Sequence, residues 1–97
     1  MYMGTAMDGF PNLFTIFGPN TATGHSSVIL ASENMVEQSL KFIGPILKGD
    51  VDRVEIKKSA EEEWARDMQT RLKGMVWNDG CGSWYLDENG WNSAVYP

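Results

Sequence analysis

Cysteine and histidine are almost missing from this chain: its 97 residues hold one of each. With Cys81 alone no internal disulfide can form, and a reducing compartment is the easier reading. With His25 alone, one chain cannot assemble a histidine-based triad or a histidine metal cluster, and no other metal-ligand spacing appears. No apolar run approaches the roughly 20 residues that a membrane helix needs. Met1-Tyr2-Met3-Gly4-Thr5 lacks the basic-then-apolar pattern of a secretory leader, so a cytoplasmic protein is the default. Positive charge is scarce too. Eight basic against thirteen acidic residues give a net charge of −5 without a basic stripe, which disfavours nucleic acid and anionic membranes as partners. There is no Gly-x-Gly-x-x-Gly, so the usual glycine-rich cradle for a dinucleotide pyrophosphate is missing. No internal repeat, low-complexity tract or linker interrupts the chain.

What is present suits one small folded unit. Hydrophobic residues make up 42% of the chain and aromatic ones 11%, which argues against disorder. The expected class is α/β: short strand, long helix, short strand, helix, then an irregular aromatic tail. Leu13 to Phe17 reads as a short, apolar, buried strand. Gly18-Pro19-Asn20 breaks it, and Thr21 to Gly24 reads as loop. A helix fits from about Ser27 to about Ile43, with Val28/Ile29, Met35/Val36 and Phe42/Ile43 recurring at a helical repeat. Ser26 or Ser27 can cap it, and Gly44-Pro45 should end or kink it. Val51 to Lys57 alternates Val54 and Ile56 against Arg53, Glu55 and Lys57, the pattern of a half-exposed strand.

Ser59 with Glu62 forms a capping-box pattern ahead of a second helix. Trp64, Met68, Leu72 and Met75 make one stripe along it, best read as packing. Glu61-Glu62-Glu63 then reads as an acidic first turn that favours the helix dipole. Beyond Asn78 the glycines and Asp87-Glu88-Asn89-Gly90 mark turns. Yet the tail carries Trp77, Trp84, Tyr85, Trp91 and Tyr96, which need something to lie against. Two helices and one or two short strands cannot cover both apolar helix faces, so the isolated chain is expected to be marginal or oligomeric.

The chemistry centres on the strand–loop–helix run from Gly9 to His25. Glycines at 18 and 24 let backbone approach closely. A helix start beyond them offers N–H groups and positive dipole to an electron-rich ligand. Such a turn is also common as pure structure. His25 reads as ordering the loop and Cys81 as a neutral packed thiol. Arg53, Arg66 and Arg71 lie on polar faces, poorly suited to catalysis.

Gly9-Phe10-Pro11-Asn12-Leu13-Phe14, Gly18-Pro19-Asn20 and Gly24-His25-Ser26-Ser27 together resemble the last part of the FAD domain in flavin-dependent monooxygenases of the Baeyer–Villiger and flavin-containing type. Cys81-Gly82-Ser83-Trp84-Tyr85 is similar to a late segment of the same family. The resemblance runs from about Tyr2 to Pro97 and covers only the C-terminal portion of such an enzyme. The FAD and NADP glycine-rich motifs would lie upstream. Residues 1–97 would thus be one segment, the end of the FAD domain plus an active-site tail.

The resemblance implies an enzyme that uses FAD, NADPH and oxygen to oxygenate a ketone or a soft nitrogen or sulfur in a small organic substrate. It implies that Gly18, Pro19 and Asn20 line the flavin. Ser26, Ser27 and Val28 would meet its pyrimidine end, mainly through main chain. Trp84 would face the NADP and substrate region, or else anchor its loop. Leu86 to Asn92 departs from the Gly-Ala-Asn run common at that point, which leaves the substrate open. By itself the segment would be inactive. The competing reading is a non-enzymatic remnant that binds another chain or dimerises through its aromatic tail and unpaired strand edges. A small independent α/β domain without a flavin link is a third.

Overall fold

A computed structural model describes residues 1–79 and 82–97. Its regular elements are helix α1 (Val28–Leu47), helix α2 (Lys58–Leu72) and a short 3-10 turn at Val76–Asn78. The expected sheet does not form among the described residues. Only isolated bridges occur, Tyr2 with Ala6, Ala22 with Val95 and Leu86 with Asn92.

Both expected strands are corrected for a visible reason. Asn12 and Phe17 take left-handed backbone at φ 59° and 61°, so the run between them is bent at both ends. Leu13 and Ile16 are exposed rather than buried. The 51–57 segment keeps its alternation, with Val54 and Ile56 half-buried between exposed neighbours. In place of a ladder, Asn12 joins the two runs: its backbone N–H donates to Val54 O and its Oδ1 accepts from Val54 N–H at 2.9 Å.

α1 runs four residues past its expected end and contains Pro45. Pro45 sits in the last turn, where its missing N–H forfeits a single bond, and Gly44 before it has no Cβ to crowd the ring. Lys48 N–H bonds Gly44 O at 3.0 Å and closes the turn. α2 starts at Lys58, a residue ahead of Ser59, so no capping box forms and Lys57 caps without a side-chain bond. Glu61 instead accepts the backbone N–H of Asp8 at 2.8 Å. Along α2, Met68 and Leu72 are buried as expected, whereas Met75 lies beyond the helix and is exposed.

The core is small. Its buried hydrophobic residues are Ala6, Met68, Leu72 and Val95, beside the buried polar residues Thr5, Asn20, Thr21, Ser39 and Asn92. Aromatic pairs extend it: Trp64 of α2 lies 5.6 Å from Tyr2 and 6.5 Å from Tyr96, and Phe14 stacks on Phe42 of α1 at 6.0 Å. The body measures 50 × 29 × 17 Å with a radius of gyration of 15.0 Å. A compact domain of this length has a radius near about 12.5 Å, so the chain is drawn out.

Candidate functional site

The loop from Gly18 to Ser27 and the start of α1 form one side of the candidate site. Gly18 is wedged against the N-terminal turn. A Cβ there would come within 2.3 Å of Gly4 O, so only glycine fits without moving backbone. Gly18 N–H donates to that same oxygen at 3.1 Å, and Thr21 Oγ1 donates to Gly18 O at 2.6 Å. Asn20 is buried and turned away from solvent. Its backbone N–H donates to Ser93 O, and its Nδ2 donates to Asn92 O at 2.8 Å and Val95 O at 2.9 Å. Pro19 has no N–H to offer. The donors of the Gly18-Pro19-Asn20 turn are therefore spent inside the fold.

Further along, the donors are free. Ser27 caps α1, accepting Leu30 N–H on its Oγ at 3.3 Å and Ala31 N–H on its carbonyl at 3.1 Å. Ser26, Ser27, Val28 and Ile29 are all exposed. Among the described residues no acceptor meets their backbone N–H groups. These are the orphan donors that a helix start offers to an electron-rich edge.

Gly24 packs against the Trp77 ring, which lies 2.7 Å from where a Cβ on Gly24 would sit. That contact closes a recess of about 420 Å³ lined by Thr23, Gly24, His25, Ser26, Trp77 and Tyr96 among others. His25 is exposed beside it. Trp84 is 83% exposed and lies 4.5 Å from Tyr85, which meets Trp77 edge-on at 6.3 Å. Trp84, Tyr85 and Trp77 thus run as an aromatic ladder from solvent to the Gly24 loop. Cys81, expected to be a packed thiol, lies outside the described residues.

Sequence reasoning missed what ties these parts together. Fully buried Asn92 receives Gln69 Nε2 on its carbonyl at 2.7 Å, donates its N–H to Gln69 Oε1 at 3.0 Å and donates Nδ2 to Asn78 Oδ1 at 2.9 Å. Its Oδ1 accepts the N–H groups of Ala94 and Val95. The tail is thereby clamped to α2 and to the Asn20 turn. An asparagine in a turn-rich stretch carries no signal of such a role.

The arginines stay on the outside: Arg53 pairs with Glu55, Arg66 Nε donates to Glu62 O, and Arg71 pairs with Asp67 at 2.9 Å. No cluster of three metal-ligating side chains occurs among the described residues. No helix there is long and apolar enough to cross a membrane.

No family model matches the chain. Whole-sequence likeness is nonetheless clear. The chain is 41% identical over 100 residues to a Baeyer–Villiger monooxygenase of Streptomyces coelicolor, covering 97% of this chain and 18% of that protein. It is 35% identical over 98 residues to one of Pseudomonas aeruginosa, covering 99% of this chain and 19% of that protein. A solved oxidized steroid monooxygenase bound to NADP superposes with a TM-score of 0.83 at 26% identity, over 98% of this chain and 18% of that one. The chain thus spans less than a fifth of the length of these relatives, and over that span it is homologous to the Baeyer–Villiger monooxygenases.

Proposed function

We propose that these residues serve a flavin-dependent monooxygenase fold by supporting one edge of the flavin ring. The observation that carries this reading is the set of free N–H groups at 26–29, set at the positive start of α1 behind the Gly18–Gly24 loop. The pyrimidine edge of a flavin is electron-rich and flat, and such donors suit it. Ser26, Ser27 and Val28 would hold that edge. Gly18, Pro19 and Asn20 would line the flavin by shape, their donors being spent inside the fold, and Trp84 would face NADPH and substrate.

The fit is partial. The residues suit the ring edge, and no glycine-rich motif in the sequence suits the pyrophosphate. FAD, reduced by NADPH, would supply oxygen activation; oxygenation of a ketone or soft heteroatom belongs to the longer fold that the relatives carry. This chain's contribution would be to orient the ring and to exclude water through its aromatic ladder.

A chimera tests the reading. The matching segment of the Streptomyces coelicolor enzyme would be replaced by this chain and examined for bound FAD and NADPH-dependent ketone oxygenation. Retained flavin is expected. Val28→Pro in the chimera should weaken FAD binding by roughly 10-fold, the worth of one hydrogen bond to an electron-rich group. Proline is well suited to the first helical position, and Ser27 at φ −68° and ψ 122° accommodates it, so the helix itself should survive. A folded chimera without flavin, or a Val28→Pro variant with unchanged FAD affinity, would overturn the proposal.

The alternative, a protein-binding or self-associating module, is favoured by a different observation: a second apolar face along α1.

A further inference from the structure

The tail beyond Trp84 folds back on itself. Asp87 closes the turn: its Oδ1 accepts the N–H groups of Asn89 and Trp91 at 2.8 and 2.9 Å, and Leu86 bridges Asn92 across it. One arm carries Trp84 and Tyr85, the other Asn92 to Val95. Ser93 joins this turn to the Gly18–Ser27 loop through a single residue. Its N–H donates to Tyr85 O at 3.2 Å, and its carbonyl accepts the Asn20 N–H at 3.0 Å.

Asn92 sets the second arm. Its Oδ1 accepts the N–H groups of Ala94 and Val95, both at 3.1 Å, a side-chain-closed turn of the kind asparagine favours. Folded that way, three successive carbonyls meet the loop. Ser93 O accepts Asn20 N–H, Ala94 O accepts Ala22 N–H at 3.1 Å, and Val95 O accepts Asn20 Nδ2 at 2.9 Å. Tyr96 N–H returns a bond to Ala22 O at 2.9 Å. Asn92 Nδ2 goes to Asn78 Oδ1 at 2.9 Å, next in sequence to Trp77, whose ring packs on Gly24. Asn20, Asn92 and Val95 are all buried.

We infer that Asn92 is a positioning residue, which through the carbonyls of residues 93–95 fixes Trp84 and Tyr85 relative to the Gly18-Pro19-Asn20 turn. In the flavin reading, on which this rests, the two ends face NADPH or substrate and the ring. A hydrogen-bonded link between them holds one against the other, and small misplacements of reacting groups cost rate steeply. Loosened, the aromatic arm would admit water and let the substrate shift. The two electrons of NADPH would then reduce oxygen to hydrogen peroxide, instead of leaving one oxygen atom in the ketone and the other in water.

Amide hydrogen exchange on the chain itself tests the link without cofactor. Asn20→Gly removes the Nδ2 bonds and keeps the backbone, whose φ of 57° glycine accepts. It should speed exchange roughly 10-fold at the Ser93 N–H, which faces Tyr85 rather than residue 20, the effect of about one lost hydrogen bond. Thr15 N–H, bonded to Thr5 O at 2.8 Å, is the reference and should not change. Equal acceleration at Thr15 would show general loosening, and an unmoved Ser93 would show no transmission; either overturns the inference. Asn92→Ala should loosen Ser93 and Ala22 together. Asn92→Asp should protect both as the parent does, since its carboxylate still accepts Ala94 and Val95 N–H and a turned Asn78 amide can donate to it. Exchange as fast in Asn92→Asp as in Asn92→Ala would also overturn it.

The chimera reads the consequence. At matched flavin content, Asn92→Ala should raise several-fold the share of NADPH electrons recovered as hydrogen peroxide, and Asn92→Asp should restore the parent share. An unchanged share in Asn92→Ala refutes the positioning role. A parent chimera that holds no flavin would instead overturn the flavin reading, while the exchange rates still decide the link.

Discussion

Asn92 shows how much one buried polar residue can hold in a fold with so little apolar core. Its side chain joins Asn78 of the 3-10 turn to the N–H groups of Ala94 and Val95, while its main-chain N–H and carbonyl hold Gln69 of α2 and the carbonyl also receives Asn20. Removing the side chain leaves Asn78 Oδ1 and the N–H groups of Ala94 and Val95 unpaired at once, each costing on the order of 1–3 kcal/mol. Asn92→Ala should therefore destabilise the chain by about 2–4 kcal/mol in urea unfolding. Glu55 gives the opposite case, a group at the surface. Hydrogen bonds from Arg53 first and the Gly9 N–H second hold its carboxyl below its ordinary value of 4.5. A depressed carboxylate contributes stability that is present above the unfolded value and lost as pH falls through the folded one. From about pH 4.5 downward the Gly9 contact should weaken, seen as faster amide exchange at Gly9. In Glu55→Gln the exchange should lose that extra acid limb. The effect on global stability should be small, as is usual for exposed pairs.

At the level of elements, Ser27 joins fold and site, because the residue that caps α1 also leads the free N–H groups toward the loop. Ser27→Ala should cost about 1 kcal/mol in thermal or urea unfolding. In the chimera it should lower FAD affinity less than Val28→Pro does, since it removes no main-chain donor. Both helices were legible in the sequence because their apolar residues recur at 3.6, and Ser27 was legible as a cap. The strands were not. Leu13–Phe17 and Val51–Lys57 have the composition of strands, but a ladder needs a partner strand and straight backbone. Left-handed residues at 12 and 17 deny the second. Pro45 misled because its cost depends on its place in the helix, and in the final turn the cost is small. Site residues were legible as a stretch through the family wording. Which of them keep free donors was not legible, because that depends on contacts such as Gly18 with Gly4, made 14 residues away in sequence.

Across the whole molecule, surface exceeds what the core can organise. The 6673 Å² left accessible in the folded chain is surface that unfolding does not newly expose. Denaturant sensitivity scales with the area exposed on unfolding. The chain should thus unfold with a shallow urea dependence, near or below about 1 kcal/mol/M, the low end for small proteins. The same imbalance bears on the cofactor. Ring-edge contacts alone leave the pyrophosphate of FAD without a cradle, so the chain by itself should emerge from gel filtration free of flavin absorbance. The chimera should retain it. That contrast would locate the flavin's main hold in the longer fold and leave to these residues the orientation of the ring. Flavin retained by the isolated chain would require a second anchoring site within these residues.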